Sequence, residues 1–458
     1  MSPAIERCRI AVVHEWLVNC AGSEKVLEQI LLMYPQADLY SVVDFLPEGE
    51  RAFLHGRRPR TSFIPRLPGA RKRFRSYLPL MPIAMEQHDL SGYDLVISSN
   101  HAVAKSVITG PDQLHLSYVH SPMRYAWDLQ HQYLREAGMV GGLKGAVARG
   151  LLHYLRQCDL ASANRVDRFV ANSAFIARRV AKVYRREAEV VHPPVDVRRF
   201  ALREQKEDFY LAASRLVPYK CMPMIVAAFA KMPQRRLVVI GDGPDMPRVR
   251  AAAAGAGNVS VLGYAADEVL VDHMQRARAL VFAAEEDFGI APVEAQACGT
   301  PVIAFGRGGS LETVRGLGSH PEPTGLWFSE QSEAAIVEAV QRFETAAGPA
   351  NVGAVGAAGP RAFSPRACRA HAERFAPELF RARLGALVEG TWERFCGERP
   401  AAAALHWGSA AQSSVAPETC GGATGIGQLP STGAPSSALP EQNKLERSPA
   451  LRSVAPAN

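Results

Sequence analysis

The sequence predicts an α/β protein of two doubly wound domains that face each other across a cleft. Short apolar stretches typical of buried strands alternate with helical patterns in both halves of the chain, which predicts parallel sheets covered by helices on both faces. A length of 458 residues exceeds one ordinary domain, and 47% hydrophobic with 21% charged residues is typical of a globular protein with sizeable cores.

The first predicted domain comprises residues 1–195 and contains six strands. These are Cys8–Val13, Leu39–Val43, Leu95–Ser99, Leu114–Val119, Arg168–Ala171 and Glu189–Val191. Helical patterns lie between them, for example at Glu24–Met33 and Ser173–Tyr184. His14 and Glu15 interrupt the first apolar stretch, so no signal peptide is predicted.

The second predicted domain, residues 196–362, repeats the alternation. Its strands are Phe209–Ala213, Arg236–Ile240, Val259–Leu262, Ala279–Ala283, Pro301–Phe305 and Gly325–Trp327. A helical pattern at Glu333–Ala346 and a second at Ser364–Phe395 follow, and residues 363–397 form the terminal helices. Residues 398–458 are rich in Ala, Ser, Pro and Gly with few charges, which predicts a disordered tail.

Composition and cysteine spacing disfavour several other classes of protein. No apolar stretch approaches the roughly 18 residues that a membrane span needs, so a cytoplasmic protein is expected. The eight cysteines include no Cys-x-x-Cys pair and have no His at metal-ligand spacing, so neither a zinc site nor a disulfide framework is predicted.

Two carboxylates, Glu286 and Glu294, have seven residues between them and flank a Phe-Gly turn. Pro292 suits the first turn of a helix that ends near Cys298, which places Glu286 on a loop and Glu294 in the first helical turn. Unpaired backbone N–H groups at the helix N-terminus can bind a phosphate while the carboxylates accept hydrogen bonds from sugar hydroxyls. Alternatively, Glu294 only complements the helix dipole and Glu286 is a solvated loop residue.

Two cations, Arg215 and Lys220, follow the strand that ends at Ala213. Open α/β sheets bind ligands outside the carboxyl ends of their strands, and a guanidinium with an ammonium can neutralise a diphosphate there. The alternative for such a pair is ordinary surface charge.

These elements, in this order, resemble the family 4 glycosyltransferases of the GT-B fold, which have two Rossmann-like domains. The resemblance extends from about Ile10 to about Phe395 and is closest to bacterial mannosyltransferases of O-antigen and exopolysaccharide biosynthesis. The motifs that carry the finer resemblance are His14-Glu-Trp-Leu17 with Gly22-Ser-Glu-Lys25, Thr61-Ser-Phe-Ile64 through Leu78-Pro-Leu-Met-Pro82, Ser117-Tyr-Val-His-Ser-Pro-Met-Arg-Tyr-Ala-Trp-Asp128, and Gly306-Arg-Gly-Gly-Ser-Leu-Glu-Thr313.

The resemblance implies retaining transfer of a hexose, mannose from GDP-mannose, to a lipid-linked or oligosaccharide acceptor in bacterial surface polysaccharide biosynthesis. It also implies that His192-Pro-Pro-Val195 is an interdomain hinge and that the last helix crosses back onto the first domain. For donor binding it implies a ribose contact for Glu294, a sugar-hydroxyl contact for Glu286 and a base contact for the Gly263-Tyr264 loop. The predicted donor-binding set is Gly22, Arg215, Lys220, Gly263, Tyr264, Glu286, Phe288, Gly289, Ile290 and Glu294.

The predicted catalytic set is His120, Arg215, Lys220 and Glu286. His120 ends the strand Leu114–Val119 and is expected to face the cleft and position the reacting groups, although a structural imidazole is the usual alternative. On the acceptor side, His101 and Lys105 are expected to contact acceptor or phosphates. Arg124 and Asp128 are either acceptor contacts or an ion pair.

The predicted transfer needs no metal or other cofactor. Negative charge that grows on a departing diphosphate must be stabilised by a metal or by fixed cations and N–H dipoles, and no Asp-x-Asp follows an apolar strand. We therefore assign this role to Arg215 and Lys220, and the resemblance implies that backbone N–H groups of Gly22 and Gly289-Ile290 contribute to it. Where many relatives have two glycines in the first loop, this chain has Ala21-Gly22, and the extra methyl is expected to crowd the diphosphate.

A basic segment precedes the third predicted strand. Residues 51–75 contain nine Lys or Arg, one His and no acidic residue, interleaved with aromatic side chains. Such a segment can contact anionic headgroups or hold the phosphates of a lipid-linked acceptor, which predicts peripheral association with the inner face of the plasma membrane. The alternative is a solvated face. Nucleic acid is not predicted as a partner, because no recognisable binding module is present.

Two other functions are compatible with the same fold. One is a non-transferring GT-B enzyme such as a sugar-nucleotide epimerase, and the other is a protein that binds nucleotide sugars without turnover. The complete set of Arg215, Lys220, Glu286 and Glu294 favours a transferase over both.

Overall fold

The structure is a computed structural model that describes residues 3–348 and 362–398, and it confirms the predicted α/β class. Two separate, wholly parallel sheets are present, one in each half of the chain. The predicted disordered tail, residues 398–458, lies outside the described residues apart from Glu398, the last residue of the final helix.

The first sheet has seven strands in the order β3-β2-β1-β4-β5-β6-β7. The strands are β1 Ile10–Leu17, β2 Asp38–Asp44, β3 Arg60–Thr61, β4 Leu95–Asn100, β5 Leu114–Val119, β6 Arg168–Ala171 and β7 Ala188–Val190. The strand order reverses at β1, so a crevice opens between the carboxyl ends of β1 and β4. Doubly wound sheets bind their ligands at such a crevice.

The second sheet has six strands in the order β10-β9-β8-β11-β12-β13 and reverses at β8. The strands are β8 Tyr210–Ala213, β9 Leu237–Ile240, β10 Val259–Gly263, β11 Ala279–Phe282, β12 Val302–Phe305 and β13 Gly325–Phe328. All six were predicted within a residue or two. Four of them are fully buried and β13 is nearly so, and such strands are continuous apolar stretches, whereas β10 is a partly exposed edge strand.

Fifteen α-helices connect and cover the strands of the described residues. They are α1 Pro3–Glu6, α2 Gly22–Met33, α3 Ala70–Arg73, α4 Met81–Glu86, α5 Gln130–Glu136, α6 Gly142–Ala163, α7 Ala174–Tyr184, α8 Met222–Ala230, α9 Met246–Ala253, α10 Asp267–Arg276, α11 Ile290–Ala297, α12 Ser310–Thr313, α13 Glu333–Ala347, α14 Pro365–Ala372 and α15 Pro377–Glu398. Buried apolar side chains form cores on both faces of each sheet.

Strand β1 does not end at Val13 as predicted. It continues to Leu17, and all eight of its residues are buried, including His14 and Glu15. Polar side chains are tolerated inside a core when they are paired, and the partners of these two come from residues far along the chain. A local pattern therefore cannot show them.

Helix α6 was not predicted. Its buried positions Gly145, Ala148, Leu152, Leu155 and Asp159 follow the three- and four-residue spacing of a helix face. Two of the five are small residues and one is a carboxylate, so the apolar stripe is weak in the sequence. The spacing itself is the signal that would have identified the helix.

The last predicted helix is two helices. Ala376 has an extended backbone between α14 and α15, and Pro377 begins α15. Helix α15 packs on the first domain, where Leu384 and Val388 are buried and the Phe380 ring lies 5.8 Å from that of Tyr118.

The aromatic residues of the basic segment 51–75 do not form a solvent-facing surface. Phe53 and Phe74 are buried in the cores of the first domain, and Phe63 is half-buried. Arg51 forms an ion pair with Asp44 at 2.7 Å. Arg58 and Arg60 are exposed and pair with Glu48 and Asp38, and the other exposed cations are Arg66 and the consecutive Arg71, Lys72 and Arg73. No helix in the two described ranges is both long and apolar enough to cross a bilayer.

Candidate functional site

A cavity of about 680 Å³ lies between the two sheets, a volume typical of ligand sites. Its walls are the segments that follow β1, β3, β4, β5, β6 and β7 in the first domain and β8 and β11 in the second. The crevices at which the two strand orders reverse thus open into one space. Each predicted side chain can be placed relative to this cavity.

The loop after β1 brings the N-terminus of α2 to the cavity. Gly22 is the first residue of α2, and a Cβ added to it would lie 3.0 Å from Cδ1 of Ile290, the first residue of α11. The N-termini of two helices, one from each domain, therefore meet here, and both present unpaired N–H groups. Ala21 lines the cavity with an extended backbone, so alanine is compatible with the loop conformation.

Besides Arg124, which is described below, three cations line the cavity. Arg215 follows β8, and Lys220 ends the 3₁₀ turn Pro218–Lys220. The third, Arg75, comes from the first domain and was assigned by sequence reasoning to the basic segment. Burial and the neighbouring Arg215 lower the pKa of Arg75. Facing guanidinium groups repel each other, so an anion bound between them is stabilised by both.

Arg75 could not be identified from its position in the sequence. It lies in the 3₁₀ helix Phe74–Leu80 and not at the end of a strand, which is where ligand-binding residues of doubly wound sheets are sought. The hydrogen-bonding capacity of its buried Nε is unused by the described residues.

Glu286 and Lys220 form an ion pair inside the cavity wall. Burial opposes the charge on Lys220, but Glu286 outweighs it and raises the pKa of the ammonium. The backbone carbonyl of Glu286 accepts a hydrogen bond from the N–H of Gly309 at 2.8 Å. A Cβ at Gly308 would lie 2.3 Å from that carbonyl oxygen, so the Gly-Gly pair after β12 permits the close approach.

Glu294 lies one turn further along α11 than predicted. The helix begins at Ile290, two residues before Pro292, which makes Glu294 its fifth residue. Its carboxylate lines the cavity and lies 3.5 Å from Nζ of Lys25 on α2. The two glutamates thus occupy different parts of the wall, one beside Lys220 and the other beside α2.

His120 lines the cavity from the end of β5. Its Nε2 lies 2.8 Å from Oγ of Ser99, and its ring packs edge-on to Tyr118 at 5.2 Å between centroids. Burial, together with His101 and His14, lowers the pKa of His120 to about 3. The imidazole is therefore neutral at physiological pH.

His101 also lines the cavity, and Glu15 holds it there. The Glu15 carboxylate pairs with the His101 ring and accepts hydrogen bonds from the backbone N–H groups of residues 101–104. Burial alone would raise the pKa of Glu15, but His101 and these N–H groups lower it to about 2. Sequence reasoning missed Glu15, because its partners lie more than 80 residues away.

The prediction for Lys105 is wrong. Its side chain is fully buried, forms an ion pair with Asp159 of α6, and does not line the cavity. Asp159 also accepts hydrogen bonds from Trp127 at 2.7 Å and from Tyr184 at 3.0 Å, which makes this a structural cluster.

The Gly263-Tyr264 loop lies outside the cavity wall, and the Tyr264 side chain is 82% exposed. Gly263 ends β10 and accepts a hydrogen bond from the N–H of Gly241 at 2.8 Å. The proposed base contact of this loop remains a prediction.

Arg124 and Asp128 have different partners and do not pair with each other. Arg124 lines the cavity and bonds to Asp287 of the second domain at 3.3 Å, whereas Asp128 pairs with Arg179 at 2.8 Å. Arg179 pairs with Asp287 as well, at 3.0 Å. Asp287 therefore joins two arginines of the first domain to the second.

No group of three or more His, Cys, Asp or Glu side chains among residues 3–348 and 362–398 is arranged to hold a metal ion. The predicted independence from metals remains a prediction.

Two family models match consecutive parts of the chain. A model described as Glycosyltransferase Family 4 matches residues 22–199, and one described as Glycosyl transferases group 1 matches residues 196–351. The two matches meet just after the segment His192-Pro-Pro-Val195. The first match covers strands β2 to β7 and the second covers β8 to β13, and together they support a glycosyltransferase of the GT-B fold.

The chain is also similar to curated proteins over part of its length. A D-inositol 3-phosphate glycosyltransferase of Mycobacterium leprae is 30% identical over 176 residues, covering 33% of this chain and 41% of the relative. The protein of the same name from Geodermatophilus obscurus is 34% identical over 180 residues, covering 32% and 40%. The chain thus spans about two fifths of the length of these relatives.

Solved structures share the fold. Anabaena HepE in complex with UDP and glucose has a TM-score of 0.58 at 15% identity, covering 84% of this chain and 100% of that chain. A glycosyltransferase from Rickettsia africae has a TM-score of 0.54 at 15% identity, covering 85% and 99%.

The depressed pKa of Glu15 predicts an acid-sensitive contribution to stability. Its pKa falls from 4.5 to about 2 on folding, so the contribution is complete above pH 4.5 and is lost as the pH falls toward 2. It amounts to about 3 kcal/mol, of which ~2 kcal/mol is lost by pH 3. Urea unfolding of wild type and Glu15→Gln at pH 6 and pH 3 should show their free energies of unfolding converging by about 2 kcal/mol. Other carboxylates titrate in both proteins and cancel, so a pH-independent difference would contradict this role.

Proposed function

We propose that this chain, a glycosyltransferase whose two domains match the family 4 and group 1 models, transfers a hexose with retention from a nucleotide sugar to a lipid-linked or oligosaccharide acceptor. The donor we propose is GDP-mannose, and the pathway is bacterial surface polysaccharide biosynthesis. The observation that carries the proposal is the cavity between the two domains, where Arg75, Arg215 and Lys220 converge with Glu286 and Glu294.

The cations suit the diphosphate of the donor. Arg215 and Lys220 approach from the second domain and Arg75 from the first, so a diphosphate between them would relieve the repulsion that lowers the pKa of Arg75. The N-termini of α2 and α11 add N–H donors at the same place. Fixed cations and dipoles of this kind stabilise the negative charge that grows on a departing nucleoside diphosphate.

The carboxylates suit the two polyol parts of the donor. Glu294, beside the N-terminus of α2, would bind the ribose diol, and Glu286 would bind a hydroxyl of the sugar. Because Glu286 is an ion-pair partner of Lys220, its charge is partly neutralised and its nucleophilicity is reduced. We therefore favour departure and attack on one face of the sugar, with a phosphate oxygen taking the acceptor proton.

The first domain would hold the acceptor. His120, His101 and Arg124 line the cavity opposite the cations of the second domain. The neutral His120 can exchange a hydrogen bond with a hydroxyl without competing for the diphosphate.

We further propose that the first domain rests on the inner face of the plasma membrane. Arg71, Lys72 and Arg73 are exposed, and α6 contacts the 3₁₀ helix Phe74–Leu80 that follows them. Exposed apolar side chains accompany these cations on the same domain, at Leu80, Ile83, Leu143 and Val147. Cations next to exposed apolar side chains complement an anionic bilayer, which would also present a lipid-linked acceptor.

The transferase proposal is tested by mass spectrometry of products. The full chain is incubated with GDP-, UDP-, ADP- and dTDP-sugars and a polyprenyl-diphosphate-linked saccharide, with and without EDTA. We expect one added hexose from GDP-mannose and no effect of EDTA. An epimerised donor, or binding of nucleotide sugar without product, would contradict transfer, and a requirement for added manganese would contradict the metal-free mechanism.

Lys220→Met should lower the turnover rate on the order of a hundredfold, because the departing diphosphate loses its ammonium partner. The variant leaves Glu286 without its cation, so the double variant Lys220→Met/Glu286→Gln separates a charge imbalance from lost catalysis. Both variants should be slow, whereas Lys231→Met, which removes a surface lysine of the same domain, should turn over normally. Near-normal turnover in Lys220→Met would refute the assignment.

The membrane surface is tested with vesicles. Arg71→Gln, Lys72→Gln and Arg73→Gln together should weaken co-sedimentation with phosphatidylglycerol vesicles at least tenfold, on the basis of about 1 kcal/mol per cation. The triple variant Lys231→Gln, Arg248→Gln and Arg250→Gln makes the same change of net charge on the second domain and should bind as wild type does. Equal losses in the two triple variants would show a nonspecific charge effect.

A further inference from the structure

A row of buried polar side chains leads from helix α2 to His120. Glu24 Oε1 lies 3.5 Å from Nε2 of His14, and His14 Nδ1 lies 3.1 Å from Oγ of Ser99. Ser99 Oγ in turn lies 2.8 Å from Nε2 of His120. His14 and Ser99 are direct neighbours in the pairing of β1 with β4, so the sheet register fixes the middle of the row.

We propose that Glu24, His14 and Ser99 are positioning residues that hold His120 with its proton on Nε2, so that Nδ1 meets a ligand hydroxyl as a hydrogen-bond acceptor. The three side chains are each at most 3% exposed, so water does not compete for their hydrogen bonds. The identification of the hydroxyl as one of donor or acceptor rests on the proposed function, whereas the tautomer does not.

The direction of each hydrogen bond follows from the carboxylate. Burial would raise the pKa of Glu24, but the hydrogen bond from His14 outweighs it and lowers the pKa, so Glu24 is ionised and can only accept. Nε2 of His14 therefore donates to it. The proposal assigns His14 a single ring proton, so its Nδ1 accepts the Ser99 hydroxyl proton. Ser99 Oγ then has only lone pairs left, and it accepts the proton on Nε2 of His120.

The same carboxylate also holds the loop at the cavity. Glu24 Oε2 accepts hydrogen bonds from the backbone N–H of Ala21 and from the Ser23 hydroxyl, both at 2.9 Å. One side chain thus fixes the loop that leads into α2 and, through His14 and Ser99, the orientation of the imidazole on the opposite wall. The Glu24 side chain therefore fixes the positions of both the loop and the His120 ring.

The substitution Glu24→Gln should reverse the direction of each hydrogen bond in the row and leave the row connected. In Glu24→Gln the two donors at Ala21 and Ser23 keep the amide oxygen in the position of Oε2, so the amide nitrogen faces Nε2 of His14. Nε2 must then accept, His14 carries its proton on Nδ1, and Ser99 donates to Nε2 of His120. His120 would be left with its proton on Nδ1 and would become a donor toward the ligand.

The experiment is long-range proton–nitrogen correlation NMR of the full chain labelled with ¹⁵N-histidine. The signals of His120 among the 13 histidines are identified by their loss in His120→Gln. We expect protonated Nε2 in wild type, protonated Nδ1 in Glu24→Gln, and an averaged spectrum in Ser99→Ala, which also serves if Glu24→Gln fails to fold. Glu28→Gln, one turn along α2, is the matched control and should leave wild-type signals.

The kinetic readout separates positioning from a structural role. Glu24→Gln should lower kcat at least tenfold and leave KM for the donor within about twofold, because the loop contacts are kept and only the polarity of His120 changes. Protonated Nδ1 in wild type, or unchanged His120 signals in both Glu24→Gln and Ser99→Ala, would overturn the inference. Because NMR needs no substrate, absence of transfer would refute the proposed function and leave the tautomer result intact.

Discussion

The cavity depends on two carboxylates of the second domain that bind to the first domain and hold the two domains together. Glu312 accepts hydrogen bonds from the N–H groups of Ala174 and Phe175 at the N-terminus of α7, at 2.8 and 3.1 Å, and from His192 in the linker at 3.0 Å. Asp287 joins Arg124 and Arg179 in the same way. These contacts use two guanidinium groups and the N–H groups at a helix N-terminus, which have no partner within the helix. The two sheets are therefore held with their ligand-binding edges opposed.

The two ligand-binding edges face each other, and this arrangement brings charged side chains of both domains together in the site. Each domain alone presents cations to solvent, where water would screen them. Around the shared cavity, burial and the nearby Arg215 lower the pKa of Arg75, and Glu286 supplies the counter-charge of Lys220. Because like charges held close together repel each other, the site should bind a dianionic ligand in preference to a neutral one.

The sequence predicted those features whose cause is local. Strands buried on both faces are apolar stretches, and residues that follow such strands fall at one edge of a parallel sheet, which is why Arg215, Lys220, Glu286 and His120 were placed correctly in the cavity wall. The same rule failed for Lys105, because its partner Asp159 lies on α6. The small residues of α6 weaken its apolar stripe, so this helix was not predicted. Glu15 and Arg75 could not be found, since the contacts that define their roles join segments far apart in the chain.

The glycine pair after β12 has a consequence for redesign of this protein. Gly308 has a φ of +66°, and a Cβ at Gly309 would lie 2.2 Å from the backbone of Phe288, so the loop that carries Glu286 is clamped against the neighbouring loop by main chain alone. Because both sides of this contact are main chain, no exchange of side chains can adjust it. Altered sugar selectivity in this scaffold should therefore be sought by exchanging the side chains at Glu286 and Ile290, and insertions or larger residues at the glycines would displace the whole loop.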